Sequence, residues 1–176
     1  MDDRSRNRAT GAEVLRTAVR KGRSPYACEV SFSLSVSRVA DLELFDNPPE
    51  DVASPEFDAW FEECQRRTLF SAPLAGDGGF YTYWHEPATR LGLPLVGAIY
   101  NSGLRVLGEQ LGNLARETEQ LRHDWLRWVP DDAWSDIALF DRQLRIPMLV
   151  DLFNRSDDLD HAIQLAERID GTVDIS

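Results

Sequence analysis

Eleven consecutive residues, Tyr26 to Val36, alternate between apolar and smaller or polar side chains without a break. Tyr26, Cys28, Val30, Phe32, Leu34 and Val36 fall on one side, and Ala27, Glu29, Ser31, Ser33 and Ser35 on the other. Side chains of a strand point alternately to its two faces, so the run predicts a β-strand. One face must meet a core, and the serine-rich face meets water or a partner. The register is strongly specified, because a one-residue slip would bury Ser31 and Ser33 and expose Phe32.

Other segments carry helical signals. Thr10-Gly-Ala-Glu13 is a capping box, in which the two side chains satisfy each other's orphan backbone donors. It opens a helix with Val14, Leu15 and Val19 on its apolar stripe, stopped by Gly22 and Pro25. Ser54 followed by Pro55 marks a second helix start, with Phe57, Trp60, Phe61 and Cys64 on one face. The longest pattern is a heptad row: Leu104, Leu107, Leu111, Leu114, Thr118, Leu121, Trp125 and Trp128. It predicts a helix over 104–128, although Gly103, Gly108 and Gly112 leave open that its first turn finishes a strand. The row serves either as the seam of an intrachain helix pair or as a homodimer coiled coil. Further helices are expected over Asp132–Arg145, through Ala133, Ile137, Phe140 and Leu144, and over Asp158–Ile169 under Ser156 or Asp157. Gly171 is expected to cap the latter.

Shorter strands are expected at Leu42–Phe45 and Phe80–Trp84. Leu95–Tyr100 would pair with the second across the Pro87–Pro94 loop, and Asp77-Gly78-Gly79 reads as a turn. Strands early and helices late predict an α+β class: one domain over 1–176, with residues 1–9 a flexible basic N-terminus. Its small antiparallel or mixed sheet would come mainly from the N-terminal half. A long helix and a helical C-terminal half would pack on it.

Charge narrows the partners. The net formal charge is −11, yet residues 1–23 carry seven bases and three acids, which leaves −15 for the rest. Such a surface repels phosphates and anionic lipid, so neither nucleic acid nor membrane is an expected partner. The ten residues MDDRSRNRAT contain no apolar signal stretch, and Leu91–Tyr100 is too short to span a bilayer. A cytoplasmic location is expected, with both cysteines, Cys28 and Cys64, as free core thiols.

No catalytic or metal motif is present. His85, His123 and His161 sit in separate segments, with no HExxH, CxxC, Walker loop or G-x-S-x-G elbow, so no cofactor and no metal are expected. If an enzyme site exists, Tyr81, Tyr83, His85 and Glu86 are its first candidates. Otherwise the feature that stands out is the stretch 39–65, which holds nine acids and no base: Asp41, Glu43, Asp46, Glu50, Asp51, Glu56, Asp58, Glu62 and Glu63. Phe45, Phe57, Trp60 and Phe61 are interleaved with them. Either the aromatics face the core and the acids are solvated, or the two together form a surface for a basic protein. The second reading nominates Asp41, Glu43, Asp46, Glu50, Asp51, Asp58, Trp60, Glu62 and Glu63 as binding residues. It fits an acidic, cytosolic inhibitor of the bacterial toxin-immunity type, covering the active site of a basic effector. A homo-oligomeric scaffold built on the 104–128 helix is the alternative.

Overall fold

Phe32, Leu34 and Val36 are buried, while Ser31, Ser33 and Ser35 are only half-buried. The alternation is thus the register of strand β1 (Ser31–Arg38). The computed structural model describes residues 31–139 and 142–176, without the side chains of Asp77 and residues 137–143. The capping box at Thr10, its helix, Tyr26–Val30 and Cys28 lie outside that range.

After β1 a 3₁₀ turn (Val39–Asp41) leads into α1 (Leu42–Asp46), then α2 (Pro55–Arg67) and β2 (Phe70–Gly76). A continuous helical stretch follows: α3 (Asp77–Phe80), a π-turn (Tyr81–His85) and α4 (Glu86–Leu91). Helix α5 (Pro94–Ser102), strand β3 (Leu104–Leu107) and helix α6 (Glu109–Trp128) come next. A hairpin of β4 (Trp134–Leu139) and β5 (Arg142–Pro147) precedes α7 (Met148–Ile169) and β6 (Gly171–Ile175).

The fold is α+β. Four strands form an antiparallel sheet in the order β2-β1-β6-β3. Leu34, Val36, Val106, Val173 and Ile175 lie on its inner face and are buried. Helix α7 lies across that face, and α6 packs against α7. Leu111, Leu114, Thr118, Leu121 and Trp125 of the heptad row are all buried, so the stripe is used within the chain as an intrachain seam.

The sheet takes its two longer strands, β1 and β2, from the first half of the chain, and the shorter β3 and β6 from the second. Several local expectations are corrected. Leu42–Phe45 is helical: Leu and Glu favour helix, and the turn anchors through the Leu44 carbonyl, which accepts from the Trp60 indole at 2.7 Å. Phe80–Trp84 is helical because Phe80, Trp84 and Ala88, spaced by four, reach the core together, and Asp77-Gly78-Gly79 begins that helix instead of forming a turn. Leu95–Tyr100 lies in α5, where Pro94 starts the helix and Val96 and Ile99 are buried. Leu104–Leu107 is a strand, set off from α6 by Gly103 and Gly108 with φ of 67° and 56°. In place of the helix expected over 132–145, residues 134–139 and 142–147 are paired strands.

The last helix begins ten residues earlier than expected, at Met148, and Ser156 lies buried inside it, its hydroxyl donating to the Phe153 carbonyl. The left-handed residue that ends it is Asp170 (φ 53°), not Gly171. Gly171 is needed for a different reason. A Cβ there would sit 2.7 Å from the Ser37 carbonyl oxygen, where β6 joins β1.

Candidate protein-binding surface

The acidic segment is held by its own caps and aromatics. The Ser54 hydroxyl accepts from the Phe57 amide at 3.1 Å and donates to the Asp51 carbonyl at 2.7 Å, which fixes the start of α2. Asp51 Oδ1 accepts from the Ala53 amide at 2.9 Å, closing the preceding turn. Phe57 and Cys64 face inward and are buried; Trp60 and Phe61 are half-buried. Besides its bond to Leu44, the Trp60 ring packs on Phe57 with centroids 5.2 Å apart. Trp60 therefore joins α1 to α2. Burial pushes the Cys64 thiol up to about 11, so it stays protonated at neutral pH.

Eight of the nine acids fall into two groups. Three are tied to arginines. Asp41 and Glu63 share Arg67, at 2.9 and 2.7 Å, and Glu63 also meets Arg66. Asp46 meets Arg105 at 2.7 Å, and Arg105 also holds Asp174 of β6 at 2.5 Å. Asp41, Glu43, Glu63 and Arg67 line one open depression of about 600 Å³. Glu43, Glu50, Asp51, Glu56 and Glu62 are exposed and form the second group, while Asp58 is half-buried.

Asp46 alone of these acids reaches the outer face of the sheet in the bonds described, through Arg105. Arg105, Asp174, Ser35 and Ser37 project from that face, and Phe45 of α1 lines one groove with them. Burial raises the Asp174 carboxyl above its ordinary value, with the Arg105 bond pulling in the other direction. Arg67 and Arg105 were not foreseen. Only the Glu63–Arg67 spacing of four is legible in the sequence, since Asp41 and Asp46 lie 26 and 59 residues from their partners.

The residues nominated for an enzyme site separate. Tyr81 and His85 meet Tyr100, with ring centroids between 4.9 and 5.5 Å apart. His85 Nδ1 lies 3.0 Å from the Gly97 carbonyl, which can only accept, so Nδ1 carries the proton. Tyr83 faces away and stacks on Trp128, while Glu86 is exposed. His123 is exposed beside Glu119 at 3.2 Å, and His161 sits against Phe70. Among the described residues, no three His, Cys, Asp or Glu side chains gather as a metal site would need. Nor does any described helix have the length and apolarity to cross a membrane.

No protein-family model, curated protein or solved structure matches this chain.

Proposed function

We propose that this chain is an acidic protein-binding protein that neutralises a basic effector by covering its active site, as toxin-immunity proteins do in the bacterial cytosol. The observation that carries the reading is the division of the acids in 39–65. Arg67 and Arg105 hold Asp41, Asp46 and Glu63 in place, while Glu43, Glu50, Asp51, Glu56 and Glu62 face solvent around a helix pair. A rigid scaffold with an outward excess of one charge favours encounter with an oppositely charged surface. The scaffold alternative is weaker, because Leu111, Leu114, Leu121 and Trp125 of the heptad row that would join two copies are buried in the chain's own core.

The test is association kinetics with the partner captured from the native host. Association should slow as salt rises, since screening limits exposed charges to about 8 Å near physiological ionic strength. Glu50→Lys with Glu62→Lys should lower the on-rate about tenfold and leave the off-rate nearly unchanged. Salt-independent association, or a partner of neutral or acidic charge, removes the basis for this reading.

A further inference from the structure

The outer face of the sheet carries an open polar groove of about 470 Å³. The alternation that buries Leu34 and Val36 turns Ser35 and Ser37 toward this side. Ser35 lies opposite Asp174 of β6, and Asp174 opposite Arg105 of β3, so the three form one row across the sheet. All four of these polar residues line the groove, and Phe45 of α1 supplies an aromatic wall.

Ser37 is the informative residue. Only 5% of it is exposed, and its hydroxyl makes no hydrogen bond among the described residues. Thr172, its buried neighbour directly opposite on β6, does donate, to the Val106 carbonyl at 3.0 Å. Trp84 Nε1 is the only wholly enclosed side-chain polar atom without a partner among the described residues. The Ser37 hydroxyl, also unbonded, therefore keeps its small accessible surface, and it keeps it in the groove. Buried polar groups are almost always bonded, so an unbonded but reachable hydroxyl marks the place of an incoming donor or acceptor. Ser35, two residues along the same face, is half-buried and unbonded as well.

The lining specifies the chemistry of what would fit. Arg105 and Asp174 cancel in charge, and Asp46 on the same guanidinium leaves an excess of negative charge that disfavours an anion. A cation would meet the guanidinium itself. A neutral ligand remains. The ion pairs use Nε and Nη1 of Arg105, so Nη2 is left to donate, and a carboxylate accepts more than the one bond Asp174 takes from Arg105. The matching ligand carries hydroxyls, which donate and accept alike, and an apolar face for Phe45. A pyranose ring has both, with hydroxyls around its rim and C–H groups across its face. At roughly 30 Å³ per water, the groove holds about sixteen non-hydrogen atoms, enough for one such ring.

We infer that this groove binds a single pyranose unit, with its hydroxyls shared among Ser35, Ser37, Asp174 and Arg105 and its C–H face laid on Phe45. Neither Glu50 nor Glu62 lines the groove, so this site and the protein-binding surface are tested separately. In the nitrogen-labelled full chain, the backbone amides of Ser37 and Gly103 and the Arg105 Nε–H report on it directly. The probes are the methyl α-pyranosides of glucose, mannose and galactose. At least one should move these signals and saturate in the millimolar range. Shifts that rise linearly with all three, or no shift with any, overturn the proposal. For the probe that binds, Ser37→Ala should weaken affinity about fivefold and Phe45→Ala about tenfold. Ser35→Leu, which fills the groove with an apolar side chain, should abolish the shifts and carries the test if the Phe45 variant does not fold. Affinity unchanged in the folded variants overturns the assignment. Tighter binding of a disaccharide of the same sugar assigns the source to a glycan chain, and equal or weaker binding assigns it to a free sugar. Acetylarginine amide that binds as tightly as the best pyranoside overturns the neutral assignment.

Discussion

Glu117 is a carboxylate buried in the middle of α6, and its task can be worked out from hydrogen-bond accounting. Helix α5 begins with Pro94, which has no N–H, and its preceding residue, Leu93, supplies no side-chain cap. The next two amides, Leu95 and Val96, both donate to Glu117 Oε2 at 2.9 Å, and the Gly97 amide returns to the Leu93 carbonyl at 3.0 Å. Every donor of the first turn is thereby satisfied, and the charge faces the positive end of the helix dipole. Hydrogen bonds to charged groups contribute about 1.5–3 kcal/mol each, and an orphaned buried amide costs about 1–3 kcal/mol. Glu117→Ala should therefore lose about 3–5 kcal/mol, a large share of the roughly 5–15 kcal/mol typical of a domain. Glu117→Gln keeps an acceptor oxygen and loses the charge, so its cost should stay near 1–2 kcal/mol. Urea unfolding followed by far-UV circular dichroism reads both. With a slope near 2 kcal/mol/M, the alanine variant should unfold about 2 M earlier at unchanged slope. A loss below about 1 kcal/mol for alanine, or equal losses for alanine and glutamine, would refute the capping argument.

Three further outcomes follow from single contacts. Trp60→Phe removes the bond to the Leu44 carbonyl and should cost about 1 kcal/mol, with faster amide exchange confined to Leu42–Asp46; unchanged exchange there would mean that the indole does not hold α1. In a Cys28→Ser background, Cys64 should resist a thiol reagent at pH 8 until urea unfolds the chain, because its thiol is held near 11 by burial; rapid labelling of the native protein would contradict this. Asp174 has a raised carboxyl pKa, so its ionisation opposes folding: its contribution is present at acid pH and lost as pH rises through the folded value. Asp174→Asn should thus gain thermal stability over the native chain at pH 7 but not at pH 3, and a gain of equal size at both would exclude the ionisation as cause.

What the sequence revealed, and what it concealed, depends on how many partners each segment needs. Residues 31–36 were legible because one face is buried and the other half-open, which writes period two into the side chains. Helix α2 was legible from Ser54 and Pro55, and α6 from Leu111, Leu114, Leu121 and Trp125, since caps and seams are local. The hairpin was not. Ala133, Ile137, Phe140 and Leu144 mimic a helical spacing, and Trp134 and Leu144, on opposite faces of the ribbon, are both exposed, so no alternation survives. Aromatic residues at 80–84 favour strands by propensity, but burial of Phe80 and Trp84 a turn apart decides for helix. The acids of 39–65 were found as a composition, whereas the arginines that organise them are brought by the fold. In the outer-face groove, Ser35 was readable from the alternation, but Phe45, Arg105 and Asp174 join it only through tertiary contacts.

The position of β6 has a kinetic consequence. It lies between β1 and β3, so two of the three strand pairings in the sheet depend on residues 171–175. Its pairing with β1 joins residues such as Leu34 and Ile175, across nearly the whole described chain. Loop-closure entropy must be met before that pairing yields any enthalpy, which makes it a late and slow event. Until then the β1–β2 pair presents a bare inner edge, while β3 has no partner strand among the described residues. Deleting residues 171–176 takes away only six residues, yet it would hold the chain in that open-edged form, where strand pairing between molecules competes with folding.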